Sequence, residues 1–228
     1  MSQRFDVHLP LEEGYRRRVL FGIELLDAVT LAPIYQGLKV VAGGLLGQPV
    51  VNAGGLFVWL QEDIQNLSKV SIDPGTLPYE GVELDPSQLN LPPIKPALTT
   101  IELQPRVGYD FAPGITGFRG TLIESQVDPP TPVANAAVRL QWLDDGNVWR
   151  NAPTTSHTDQ KRGDFVSILR LAPAERPHLE DGEVTVRLRV SRDGGAERGS
   201  NDLKLQQGRI TDPSTLNPLT FAWDELQP

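Results

Sequence analysis

The residues able to do chemistry in this chain are few and scattered. His8, His157 and His178 lie in three separate segments, and none belongs to a paired ligand motif, so no metal site is expected. Ser156, His157 and Asp159 carry the letters of a nucleophilic triad. Such triads converge from distant segments, however, and no Gly-x-Ser-x-Gly elbow is present, so the stretch reads as a polar turn. Asp144-Asp145-Gly146-Asn147 and Asp181-Gly182-Glu183 offer hard oxygen ligands but lack the later bidentate Glu of a calcium loop. Asp-Gly at such places signals hairpin turns instead. Gly43-Gly44-Leu45-Leu46-Gly47 lacks the lysine and the strand-to-helix setting of a phosphate loop; it reads as a hairpin tip presenting Leu45 and Leu46 as an apolar contact point. No pair of carboxylates is favoured for glycoside hydrolysis. The chain has no cysteine, which removes disulfides, thiolate ligands and thiol nucleophiles together. The expectation is a non-enzymatic protein without catalytic residues, cofactor or metal.

The elements that position these residues are short. Among 228 residues there are 20 prolines and 21 glycines, too many breaks for long helices. The length suits two domains of about 100 residues. A net charge of -8, spread over both halves, speaks against a nucleic-acid surface. Met1 runs into polar sequence without an apolar leader, and no apolar run is long enough to span a bilayer. Cytoplasmic synthesis without a signal peptide and no membrane insertion are expected, compatible with a place in a released or virion-like particle.

From Leu20 onward, apolar runs alternate with turn residues. Strands are expected at Leu20 to Leu26, Leu38 to Ala42, Leu56 to Leu60 and Val70 to Ile72, then at Gly117 to Ile123, Ala136 to Leu143, Asp164 to Leu171, Val184 to Val190 and Leu203 to Ile210. In Val184 to Val190 the valines and Leu188 share one face, while Thr185, Arg187 and Arg189 share the other, the pattern of an antiparallel sheet with one wet side. Residues 85–105 carry Pro86, Pro92, Pro93, Pro96 and Pro105, which suggests a semi-rigid linker. Within it, Leu98 to Leu103 is a candidate edge strand for the domain that follows. The expected division is an N-terminal arm over 1–18, a first β-sandwich over 19–84, the linker over 85–105, and a second β-sandwich with a C-terminal segment over 106–228.

The two halves repeat one another weakly. Pro33-Ile34 and Gly37 precede the second strand of the first half, and Pro132-Val133 and Ala136 do so in the second. Further on, Asn52, Gly54-Gly55 and Phe57 stand where the second half has Thr158-Asp159, Gly163 and Phe165, with a longer insertion from Leu143 to Asp159. Each half thereby resembles the carboxypeptidase-regulatory-like group of transthyretin-like (prealbumin-like) β-sandwich domains. The resemblance implies an all-β fold, two antiparallel Ig-like or transthyretin-like sandwiches in tandem, used as accessory or structural modules with no catalytic residues to carry over.

Trp59 and Trp142 sit within apolar runs and are expected in the core. Trp149 and Trp223 are candidates to anchor a partner or to fold back over a sandwich. Arg16-Arg17-Arg18 is a candidate contact for nucleic acid or an acidic partner, although Glu12 and Glu13 beside it favour a solvated run. The function expected is that of a structural or adaptor protein, with protein partners in a larger assembly such as a phage-tail-like, contractile injection or secretion particle, and with self-assembly as one form of it. The alternative is a carbohydrate-binding module using Trp149, Trp142 or Tyr109 as stacking platforms. A transthyretin-like hydrolase is disfavoured, because the chain ends in Glu-Leu-Gln-Pro rather than in that family's C-terminal tetrapeptide.

Overall fold

The computed structural model describes residues 19–60, 64–211 and 219–228. Its regular structure is all-β, with three single-turn 3-10 segments and no α-helix among the described residues. The first half contributes β1 (Val19–Asp27), β2 (Lys39–Gly43), β3 (Val50–Val51), β4 (Phe57–Leu60), β5 (Lys69–Asp73), β6 (Val82–Leu84) and β7 (Leu98–Leu103). They form two sheets, ordered β3-β4-β1-β7 and β2-β5-β6. The second half contributes β8 (Thr116–Ile123), β9 (Ala137–Leu143), β10 (Trp149–His157), β11 (Asp164–Leu169), β12 (Leu179–Glu180) and β13 (Glu183–Ser191). It ends with β14 (Arg198–Gly199), β15 (Leu203–Gln206), β16 (Ile210–Thr211) and β17 (Leu219–Ala222). Here one sheet runs β10-β9-β13-β12, with β14 and β15 also on β13; the other pairs β8 with β11, β16 and β17.

Period-two burial along β1, β9 and β13 places Phe21, Ile23 and Leu25, then Val138, Leu140 and Trp142, then Val186, Leu188 and Val190, on inner faces. Two separate hydrophobic clusters result. One is drawn from residues between Phe21 and Tyr109, the other from residues between Phe118 and Leu226. Each large side chain so buried contributes roughly 1.5–3 kcal/mol.

The pairing scheme is repeated. β1 pairs antiparallel with β4 and parallel with β7; β8 pairs antiparallel with β11 and parallel with β17. β5 lies between β2 and β6 as β13 lies between β9 and β15. The proline motifs occupy equivalent places: Leu26 bridges Pro33 and Ile123 bridges Pro132. The next amides, Ile34 N and Val133 N, donate to Leu25 O and Leu122 O. This aligns Leu26 with Ile123, and hence Asp27 with Glu124 and Gly22 with Arg119.

Five expectations are corrected. One sheet in each half is mixed rather than antiparallel, since β7, β16 and β17 each run parallel to a neighbour and need a crossover to do so, while the β2-β5-β6 and β9-β13 sheets are antiparallel. Leu98–Leu103 is a strand, but it joins the preceding sheet beside β1. Residues 85–105 are therefore not a spacer between the cores: Leu89, Leu91, Ala97, Ile101 and Leu103 all belong to the first cluster, so the segment carries the chain from one sheet of the first half to the other. The presumed insertion after Leu143 contains β10, whose inward residues Ala152, Thr154 and Ser156 are small or hydroxylic and leave no apolar alternation to read. Pro153 interrupts its ladder, and hydroxyls stand in: Thr154 Oγ1 donates to Ile168 O, and Ser156 Oγ shares a hydrogen bond with Ser167 Oγ. Finally, Gly43 to Gly47 is not a hairpin tip, because β2 and β3 belong to different sheets and the loop crosses between them.

Candidate functional site

Polar side chains join the two halves. Between Leu103 and β8 the chain runs as a connecting segment held from both sides. On the first half, Tyr109 lies in the core with its hydroxyl donating to Asp27 Oδ2 at 2.5 Å, and the Tyr79 hydroxyl donates to the same oxygen at 2.9 Å. Asp27 Oδ1 accepts the amides of Val29 and Thr30, so this buried carboxylate has four donors. Burial, then the hydrogen bond and negative charge of Asp27, push the Tyr79 phenol up to about 12 and raise Tyr109 as well. On the second half, Arg119 of β8 donates to Val107 O and Tyr109 O and lies over the Phe111 ring. Arg170, just past β11, donates to Ala28 O and pairs with Glu102 of β7 at 2.8 Å.

Beside this segment opens a cleft of about 950 Å³. One wall carries Glu80, Gly81 and Arg106 from the first half; the other carries His157, the Asp159 to Arg162 loop, and Phe165 and Val166 of β11. Glu80 bridges the walls, accepting the His157 amide at 2.8 Å and facing the ring Nδ1 at 2.9 Å. That hydrogen bond, opposed by burial and aided by the Glu80 charge, raises the His157 pKa above its ordinary value. Burial works against the charge on Asp159, yet the amides of Arg162, Lys161 and Asp164 hold its carboxyl below the usual range.

That loop has a counterpart in the first half. Asn52 Oδ1 accepts the amides of Gly54 and Leu56, and Gly55 N returns to Asn52 O as Gly163 N returns to Asp159 O. Gly55 (φ 80°) and Gly163 (φ 71°) turn the chain, and Phe57 and Phe165 enter the two cores. The sequence motif thus marks one turn used twice, with Asn52 in the role of Asp159.

Ser156, His157 and Asp159 do not converge as a triad: Ser156 Oγ is buried toward Ser167, and Asp159 is spent on its own loop. The Asp144 and Asp181-Gly182 segments form the hairpin turns expected of them, Asp144 accepting Gly146 N and Val148 N and pairing with Arg150. Those contacts lower the Asp144 pKa, the Val148 amide most of all. His178 lies elsewhere, its amide on Leu143 O, and His8 and Arg16, Arg17 and Arg18 lie outside the described residues.

Trp142 lies in the core as expected, which removes it as a stacking platform. Trp59 is buried likewise, and Tyr109 is anchored on Asp27, so Tyr109 cannot stack on a sugar either. Arg187 lies over Trp149 at 4.2 Å, and Arg192 and Arg198 lie over Trp223, which packs on the second cluster and so folds back rather than projecting. Leu45 packs against the first cluster, whereas Leu46 is 97% exposed.

A second, apolar groove of about 750 Å³ lies on the outer face of the β1 and β4 sheet. Gly22 forms part of its floor, with Leu20, Leu56, Val58 and Leu98 around it and Pro92 to Pro96 as one rim. Val50, opposite Val58, extends the apolar row to the sheet edge and is half exposed. The cleft residues Glu80 and Arg106 and this groove had no signal in the sequence, because each depends on which strand faces which. Neither a protein-family model, nor a curated protein, nor a solved structure matches the chain.

Proposed function

We propose that the protein is a non-enzymatic structural or adaptor component, two tandem β-sandwiches of transthyretin-like type that take a place in a larger protein assembly. The observation that carries this is the contrast between equivalent sheet faces. On β8 the outer face is covered by the connecting segment, which Arg119 grips; on β1 the equivalent position is Gly22, at the floor of an apolar groove. An apolar row ending at a half-exposed edge is the kind of surface through which β-proteins pair. The polar contacts between the halves would present that surface at a set angle, which suits a rod-like part of a phage-tail-like, contractile injection or secretion particle; that comparison rests on fold alone. Fold and junction favour this over carbohydrate binding, since of its candidate platforms Trp142 and Tyr109 are internal and Trp149 is covered by Arg187.

The test is light scattering on the purified full chain, alone and co-purified from its source. A discrete assembly that Val58→Lys dissolves while leaving the thermal midpoint in place supports the proposal. A monomer with no stoichiometric protein partner overturns it.

A further inference from the structure

We propose that the junction cleft binds a small organic oxyanion, a carboxylate- or phosphate-bearing molecule, between Arg106 and Lys161 with His157 Nε2 as a third donor. The first support is the charge balance of the walls. Each carboxylate lining the cleft is already matched: Glu80 by His157, Asp159 by three amides of its loop, and Asp164 by Arg162 at 2.7 Å and Thr121. Arg106 and Lys161 have no ion pair among the described residues, and both are exposed. A chain of net charge -8 thus holds a concave surface with two uncommitted cations, which concentrates anions locally.

The second support is internal to the molecule. The turn from Asn52 to Gly55 performs the same backbone task with only Ala53 and Gly54 between its ends. Turning the chain therefore does not require the Lys161 side chain, whose place Gly54 takes in the first half, and its presence on the cleft side calls for another reason. The third is the imidazole. Glu80 holds Nδ1 and the backbone amide, which fixes the ring and leaves Nε2 without a partner among the described residues, on a side chain that lines the cleft. The charged groups around it are Glu80 before β6, Asp159, Lys161 and Arg162 after β10, Asp164 on β11 and Arg106 on the connecting segment. Protonated, His157 donates from Nε2; neutral and held by Glu80 at Nδ1, it presents a lone pair there and repels an anion. Phe165, Val166 and Pro105 supply an apolar wall for the body of the ligand.

The experiment is proton–carbon NMR of the histidine rings in the full chain, titrated with inorganic phosphate and, separately, with citrate, at ionic strength held constant with sodium chloride. Saturable movement of the His157 signal at about pH 6, with His178 still, is expected with at least one of them, and the better ligand distinguishes phosphate from carboxylate recognition. Affinity should fall at least about tenfold in Arg106→Ser/Lys161→Ser, and fall again as pH rises to about 9. Lys161→Gly, which places there the residue of the first-half turn, Gly54, serves if the double variant does not fold. Absence of saturation with both anions overturns the proposal, as does an affinity that neither variant changes.

Discussion

Asp27 and Glu124 stand at the same place in the repeated scheme, each one residue beyond the strand residue that bridges a proline, with equivalent amide bonds from Asp27 to Ala32 O and from Glu124 to Thr131 O. Their surroundings differ. Asp27 is buried under two tyrosine hydroxyls, whereas Glu124 reaches outward to a two-pronged pair with Arg192, both oxygens at 2.8 Å. The same backbone frame accepts either arrangement, because what it requires at this place is the strand-to-proline turn. What the side chain then does is set by the connection nearby: in the first half Tyr109 comes from the segment leading to β8 and makes Asp27 part of the junction. The Gly22 and Arg119 pair carries the same lesson on the outer face, an open floor in one half and a clamp in the other.

The sharpest test of the repeat is its shared glycine. A Cβ on Gly163 would stand 2.2 Å from Leu122 O, a backbone atom that cannot move aside, while one on Gly55 would meet the ring of exposed Tyr35 at 2.7 Å. Gly163→Ala should cost about 3 kcal/mol or more in denaturant unfolding, and Gly55→Ala about 1–2 kcal/mol, since both suffer the positive φ but only one the backbone collision. Equal costs would mean that the Leu122 backbone contact adds nothing to the strain of the positive φ.

Asp27→Ala leaves two buried hydroxyls and two amides without their acceptor and should cost about 2–4 kcal/mol. Glu124→Ala breaks a half-exposed ion pair and should cost about 1 kcal/mol or less by the same measurement. A reversal of that order would refute the assignment of the buried carboxylate as the stronger anchor.

Alkaline titration sharpens the contrast. A tyrosine raised in the folded state favours folding fully below its unfolded pKa, near 10, and that contribution is lost as pH rises through the folded value, about 12 for Tyr79. Tyr79 and Tyr109 should ionise above the ordinary tyrosine value near 10 in an ultraviolet titration, with stability declining over that interval; in Asp27→Asn, which removes the charge, the two should ionise earlier.

The smallest effect is at the cleft. His157 is raised by Glu80, so the stability of this contact is present below the unfolded histidine pKa of 6.5 and is lost as pH rises through the folded value. Because the ring is half exposed, the contribution should stay under about 1 kcal/mol; Glu80→Gln should remove the pH-dependent part while leaving the midpoint above about pH 9 unchanged.

Much of the scaffold was legible in one dimension. The strands with alternating apolar residues, β1, β9 and β13, and the two Pro and Gly-x-Phe signals were marked by residue type, because strand burial has a period of two and positive-φ turns select glycine. β10 was not, since its inward positions hold Ala152, Thr154 and Ser156, whose fitness lies in reaching β11 rather than in hydrophobicity. The partner of β7 was not legible either: Leu-Thr-Thr-Ile-Glu-Leu specifies a strand equally well on either side of the junction, and only the crossover from β6 places it beside β1. The cleft belongs wholly to this second kind. Glu80 and His157 lie 77 residues apart, and nothing local to either encodes the other.

By itself, then, the order of residues determined that the chain is all-β, where most of its strands and turns lie, and that one turn motif occurs twice, since these follow from local dihedral preference and from the periodicity of burial. The tertiary structure alone decided which sheet each strand joins, which outer face is covered, that Tyr109 is internal, and that Glu80, Arg106, His157 and Lys161 share one cleft. Those outcomes depend on the packing of segments far apart in the chain, where hydrogen-bond geometry and excluded volume select among arrangements that local propensity leaves equal.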